Sequence, residues 1–192
     1  MNRTVPMPDS AFARLVSLAC HDLRTPLATV NGFAKTLTRT GGLAERESHF
    51  VDLIEAAADQ MATLLDLLGL AVRIQSDRYE PVLTEAGTLE LASSDDDHIA
   101  TEGIGETIET DAGAIHSSLE SLARAAATHG GVPLVTWRVN GRTLELSPLA
   151  NDTAAVVTGE LPRDLGALVA RLVIEHFGGT LTADGETLRV RL

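Results

Sequence analysis

Ser17-Leu18-Ala19-Cys20-His21-Asp22-Leu23-Arg24-Thr25-Pro26-Leu27 sets an imidazole beside a carboxylate in the middle of a long helical pattern. The apolar positions around it, Phe12, Val16, Ala19, Leu23, Pro26, Val30, Phe33 and Leu37, recur in alternating steps of 4 and 3. That is the spacing of a heptad seam. It predicts a helix over residues 9–39, capped by Asp9 or Ser10 and ended by Gly41-Gly42. A second seam, Phe50, Ile54, Ala57, Met61, Leu64, Leu68 and Ala71, predicts a helix from about Leu43 to Ile74. Val51, Leu53, Leu65, Leu67 and Val72 widen the apolar stripe beyond what one neighbouring helix covers. A second copy of the hairpin would cover it, which predicts a dimeric four-helix bundle.

Beyond residue 76 the period changes. Glu106–Thr110 reads as a strand and Asp111–Thr128 as a helix. Leu134–Val139 and Arg142–Leu146 flank Asn140-Gly141, a hairpin signal. Arg163–Phe177 reads as a helix ended by Gly178-Gly179, and Thr180–Ala183 with Thr187–Leu192 flank Asp184-Gly185 as a second hairpin. Ser93–Asp97 is polar and acidic and reads as a loop. The fold class is therefore α+β: an antiparallel helical hairpin over residues 1–76, then a small α/β sandwich over 77–192.

Composition narrows the function. Only 3% of the 192 residues are aromatic, so the core must be aliphatic. The first half carries no apolar run of membrane-spanning length, nor does the second, and Met1–Pro6 lacks a signal-like segment. The expectation is a cytoplasmic protein without a membrane partner. Cys20 is the single cysteine, which excludes an internal disulfide and any multi-cysteine metal site. Residues 1–76 carry 7 basic and 8 acidic side chains, whereas 77–192 carry 8 and 19. So acidic a second half argues against nucleic acid as partner and offers little to a nucleotide triphosphate. With His21 only 20 residues from the start, the sequence holds no sensor segment ahead of it, and any signal is expected to arrive through a partner.

Between the seam positions Ala19 and Leu23, His21 falls on the outer face of the first helix, with Thr25 one turn on. The Asp22 carboxylate can fix the ring's tautomer and make the other nitrogen a better nucleophile. Pro26 removes a backbone donor from the Asp22 carbonyl, at a cost of about 3 kcal/mol in a helix interior. The expected consequence is a kink that tilts the histidine outward.

His21 to Leu27 resembles the phosphoacceptor box of bacterial two-component histidine kinases, and the hairpin around it resembles their dimerisation and phosphotransfer domain. The resemblance implies His21 as phosphoacceptor, Asp22 as acid/base residue and Thr25 as the residue that positions water for dephosphorylating a response regulator. It implies Arg24 as a contact to phosphate or partner, and Pro26 as a partner-binding residue. The element order over 79–192 is similar to the family's ATP-binding domain, but its boxes are altered. The magnesium-ligand asparagine falls on Ala125, an earlier asparagine on Ser121, and the adenine-reading aspartate near Ser147. The last glycine box falls on Asp164-Leu165-Gly166-Ala167, with little room for a lid between Ser147 and Asp164.

The whole is similar to dimeric histidine phosphotransferases with a vestigial ATPase-like domain. This implies a chain that passes phosphoryl groups between receiver-domain aspartates and binds no ATP and no metal of its own, the magnesium coming with the receiver. Two alternatives stay open: an ATP-using sensor kinase with a divergent site, and a non-enzymatic module that binds a regulator or pairs with a kinase. His49, His98, His116, His129 and His176 share no metal-ligand spacing. Asp95-Asp96-Asp97 lacks the alternation of a calcium loop, and Gly103-Ile104-Gly105 is too short to imply phosphate binding.

Overall fold

The computed structural model describes residues 10–150 and 152–192, without the side chains of 10–15, 17–19 and 22. The expected cap Asp9 and the side chains of Phe12, Ala19 and Asp22 therefore lie outside the described residues. The chain divides between Arg78 and Tyr79 into two compact units.

The first unit is a hairpin of α1 (Ser10–Thr40) and α2 (Glu45–Gln75). Gly41 and Gly42 take φ of 70° and 79° between them, a reversal that side-chain-bearing residues resist. The Glu47 carboxylate accepts from the Ala44 N–H at 3.1 Å and so caps the start of α2. At the other end the Ser76 hydroxyl donates to the Val72 carbonyl at 2.6 Å. Helix α1 continues through Pro26 without interruption.

The heptad positions are not where the two helices meet. Leu23, Val30, Phe33 and Leu37 of α1 are exposed, as are Phe50, Leu53, Ile54, Met61 and Leu64 of α2. Buried instead are Cys20 and Ala34 from α1, and Val51, Ala58, Gly69 and Val72 from α2. Small side chains let the two backbones approach, and the large apolar ones are pushed to an adjoining face. Sequence periodicity finds the larger stripe because size dominates a hydrophobic pattern.

The second unit contains β1 (Thr84–Gly87), α3 (Thr88–Ala92), β2 (Ile99–Gly105), β3 (Thr107–Thr110) and α4 (Ala112–Gly130). There follow β4 (Val135–Gly141), β5 (Thr143–Ser147), α5 (Ala154–Val157), α6 (Leu165–His176), β6 (Thr180–Asp184) and β7 (Thr187–Arg191). Strands β1 and β3 form a small antiparallel pair, and the main sheet runs β2-β4-β5-β7-β6. Only β2 and β4 are parallel. One face of the sheet is core: Val135, Trp137, Val139, Leu144, Leu146, Leu188 and Val190 are buried, as are Ile115, Leu119 and Leu122 of α4 and Val173 and Ile174 of α6. The other face carries a row in register across four strands, Glu102, Arg138, Glu145 and Arg189. Within it Arg138 pairs with Glu102 and Arg189 with Glu145. This is the two-layer α/β sandwich read from the sequence.

Both hairpin turns are shifted one residue from their expected places. Asn140 pairs with Thr143, and Asp184 with Thr187, so the turns are Gly141-Arg142 and Gly185-Glu186. Each has positive φ at the glycine alone, 59° and 56°, the pattern of a turn with glycine first. Four short elements, β1, α3, β2 and α5, had no sequence expectation. Strand β2 hides in a glycine-containing stretch, and its Gly103 (φ 118°) and Gly105 are required by close backbone. A side-chain carbon on Gly103 would lie 2.0 Å from the Val139 carbonyl oxygen, and one on Gly105 2.6 Å from the Leu89 nitrogen.

Asp111 ties the start of this unit together. Its Oδ1 accepts from Ala114 N at 3.0 Å, capping α4, while Oδ2 accepts from Tyr79 Oη at 2.8 Å and Val82 N at 3.1 Å. Burial raises its pKa, but the hydrogen bonds from Ala114, Tyr79, Val82 and Gly113 outweigh burial and hold it below the usual carboxylate value. A carboxyl lowered by folding stabilises above its unfolded pKa, and that stability is lost as pH falls through the folded value. Asp111→Ala is expected to cost about 1–2 kcal/mol near neutral pH. The variant should also lose part of the parent's acid sensitivity, read from urea midpoints at neutral pH and below the unfolded carboxylate pKa. An unchanged neutral midpoint would remove the cap from this account.

Candidate functional site

His21 and Thr25 are exposed on α1, and Arg24 lies with them on the same helix. The Thr25 carbonyl accepts from the Thr29 hydroxyl at 3.1 Å, which occupies its backbone and leaves the side chain on the surface. Arg24 reaches across to α2, where its Nη2 pairs with Asp66 Oδ1 at 2.5 Å. Pro26 belongs to a different face. With Leu23, Leu27, Val30, Met61, Leu64 and Leu65 it lines an apolar groove of about 400 Å³. The sequence-derived site is thus split into a polar patch of His21, Arg24 and Thr25 and an apolar groove that contains Pro26.

The polar contacts between the helices share one polarity. Besides Arg24–Asp66, Asn31 Nδ2 donates to Asp59 Oδ1 at 2.6 Å, Lys35 Nζ lies 3.9 Å from the same oxygen, and the Thr38 hydroxyl donates to Glu55 Oε1 at 2.8 Å. Every donor is on α1 and every carboxylate on α2. Sequence reasoning missed Asp66, Gly69 and Arg73, which stand opposite the histidine's turn. A signal for Asp66 was present: it interrupts the apolar run Leu64-Leu65-Asp66-Leu67-Leu68. A carboxylate in such a run needs a cationic partner or water.

In the second unit the residues at the box positions do not fit a magnesium–nucleotide complex. Ala125 is 2% exposed, with Ala126 and Leu122 fully buried beside it. Its methyl group belongs to the packing under the sheet and offers no ligand atom. Asp164 is spent on structure: Oδ1 caps α6 through Ala167 N at 2.8 Å, and Oδ2 lies 3.2 Å from His129 Nε2. Gly166 sits against α4, where a side-chain carbon would come 3.2 Å from Ser121 Cβ. Between Ser147 and Asp164, Leu149, Thr153, Val156 and Val157 are buried, whereas Asp152 and Glu160 to Arg163 are exposed. Leu149 N donates to the Glu186 carbonyl at 2.7 Å, and Arg171 Nη1 donates to the Thr158 carbonyl at 3.0 Å. Asp96, in the acidic run, is drawn onto α4 by Arg124 at 3.1 Å.

Residues 13–77 match the His Kinase A (phospho-acceptor) domain. The chain is also similar to a probable sensor histidine kinase, TcrY of Mycobacterium tuberculosis (strain ATCC 25618 / H37Rv), at 24% identity over 69% of this chain and 30% of that protein. In fold it is similar to full-length ShkA, solved in complex with AMPPNP, with a TM-score of 0.65 at 17% identity, over 93% of this chain and 44% of ShkA. The Acinetobacter baumannii histidine kinase AdeS gives a TM-score of 0.51 at 13% identity, over 90% of this chain and 96% of that one. An exposed histidine on a helical hairpin, followed by an α/β sandwich, is the arrangement this chain shares with those structures. Residues 13–77 are thus similar to the phospho-acceptor domain of histidine kinases, and the exposed His21 lies within them. The chain spans 30% of the length of TcrY and less than half of ShkA. Among the described residues no helix is long and apolar enough to cross a membrane.

Restoring an asparagine at the box position tests this packing. Ala125→Asn would bury an amide among aliphatic side chains and should destabilise the second unit by about 1–3 kcal/mol. A thermal melt reads the loss, and a variant as stable as the parent would show that position 125 has room for a ligand.

Proposed function

We propose that the chain is a histidine phosphotransferase, passing a phosphoryl group between receiver-domain aspartates through His21. The observation that carries this reading is the contrast between the units: an exposed His21 in the phospho-acceptor domain, and a buried Ala125 where nucleotide chemistry would need a ligand. A response regulator's receiver presents an acyl phosphate to an imidazole nitrogen of His21. The nitrogen attacks phosphorus, the P–N bond forms, and the bond from phosphorus to the aspartate oxygen breaks, releasing the carboxylate. Transfer of this kind needs alignment and charge neutralisation more than covalent help. The magnesium arrives with the receiver, and the reverse step charges a second receiver by the same geometry. Asp22 holds the ring's proton, and Thr25 orients water where the outcome is regulator dephosphorylation.

The exposed apolar stripe of Leu23, Val30, Phe33, Leu37, Phe50, Ile54 and Met61 supports a homodimer in which a second hairpin covers it. At about 25 cal/mol per Å² of apolar surface, a stripe of this kind is costly to leave in water. The dimer acts in the cytoplasm, where receivers are met.

Two tubes separate this reading from an ATP-using kinase. The purified chain is offered labelled ATP with magnesium in one and a labelled phospho-receiver in the other. Label on the chain is expected only from the receiver, and none in His21→Ala, whose dimer should persist on gel filtration. Autophosphorylation from ATP would replace the proposal with a sensor kinase. Regulator binding without transfer in either direction would replace it with a binding module.

A further inference from the structure

Two guanidinium groups converge on Gly69, and among the described residues only that of Arg24 is in an ion pair. A side-chain carbon built on Gly69 of α2 would come 3.8 Å from Arg24 Nη2 and 3.7 Å from Arg73 Nη1, so both arginines reach the same spot over the bare glycine. Arg24 comes from α1 and is paired with Asp66; both side chains are well exposed, at 47% and 69%. Arg73 comes from α2, is exposed, and has no carboxylate within ion-pair distance among the described residues. Since the helices run antiparallel and Arg24 meets Asp66, Arg73 stands further toward the level of the turn that carries His21. Arg24 lies three residues after His21, on the same stretch of exposed helix surface.

We infer that Arg24 and Arg73 form an anion cradle over Gly69 that takes the phosphoryl oxygens once His21 is phosphorylated, with Asp66 as the anion that holds Arg24 until then. The inference rests on the reading of His21 as phosphoacceptor. Charge decides the exchange. An exposed carboxylate pair contributes little to stability and is easily broken. A phosphoryl group brings more negative charge and three acceptor oxygens, and guanidinium groups bind it in forked geometry. A side-chain carbon at Gly69 would sit in ordinary van der Waals contact with both guanidinium groups, so the glycine leaves the space between them open without being essential to it. Asp66 then sets the balance: it stabilises the unphosphorylated hairpin and competes with the phosphohistidine. Arg24 and Arg73 are positioning residues that tune how readily His21 keeps its phosphoryl group.

Phosphoramidate, a small phosphoryl donor, charges exposed histidine without any receiver and so tests the cradle on the intact chain. On charging, the Nε–Hε NMR signals of Arg24 and Arg73 should both move, and neither should move in His21→Ala. The phosphohistidine level reached should fall by about three- to tenfold in Arg24→Gln and Arg73→Gln and rise in Asp66→Asn. Opposite signs for Arg24→Gln and Asp66→Asn are the mark of competition, since a merely structural ion pair would make the two variants behave alike. Arg73→Gln leaves the Arg24–Asp66 pair in place and keeps the test alive if Arg24→Gln loosens the hairpin. Arginine signals that stay still on charging, or a level that falls in Asp66→Asn, would overturn the cradle. If a phospho-receiver labels His21 while both arginine signals stay still, the cradle fails and the phosphotransferase reading stands. If phosphoramidate moves both signals but no receiver charges His21, the cradle stands and the phosphotransferase reading fails.

Discussion

Small side chains between the two helices are the constraint on which the first unit depends. Cys20 and Ala34 of α1 face Val51, Ala58, Gly69 and Val72 of α2, and all are buried. Backbones that meet through such residues leave no room between them for leucine or phenylalanine, so the large apolar side chains must lie to one side. The same geometry puts the polar residues on the remaining surface, where α1 supplies donors and α2 supplies carboxylates. Helix α1 carries four basic residues against one acidic, and α2 six acidic against two basic. Opposite charge on two antiparallel helices favours their pairing and opposes a hairpin slipped by several residues. His21 owes its exposure to this arrangement, since its neighbour Cys20 takes the inward position.

The fold was largely legible because its strongest signals are periodic. The long helices, α4 and α6 and the two hairpins each show either a heptad, an amphipathic stripe or a glycine turn. The contact inside the hairpin was not legible, for a physical reason. A heptad pattern reports where large apolar groups recur, and in this hairpin those groups face away from the intramolecular contact. Alanine, glycine and cysteine carry too little hydrophobic weight to announce an interface, although they make it. The one-residue shift of both turns has a related cause. Asn-Gly and Asp-Gly are favoured as central turn residues when both need positive φ, but here glycine alone takes that conformation, and the polar residue before it stays in the strand.

The candidate site was legible in part. His21, Arg24 and Thr25 stand together because three- and four-residue spacings on a helix can be read directly. Pro26 does not join them, because a rotation of one more residue carries it to the apolar groove. The residues contributed by α2 were hidden, since nothing in a single sequence fixes which residue of one helix meets which of another. That register comes from contacts such as Arg24–Asp66 and Asn31–Asp59, which only the folded chain reveals.

The second unit is held by a largely aliphatic core on one face of its sheet. Its stability comes from Trp137, Leu144, Leu146, Leu188 and Val190 under α4 and α6, none of which occupies a box position. Ala125 is buried on α4 and brings no polar group that would demand a partner there. Leu149, Val156 and Val157 are buried in the same unit, and the His129–Asp164 contact joins the end of α4 to the start of α6. A polar side chain at position 125 would therefore enter a packed aliphatic interior, beside Leu122 and Ala126, rather than an open cleft.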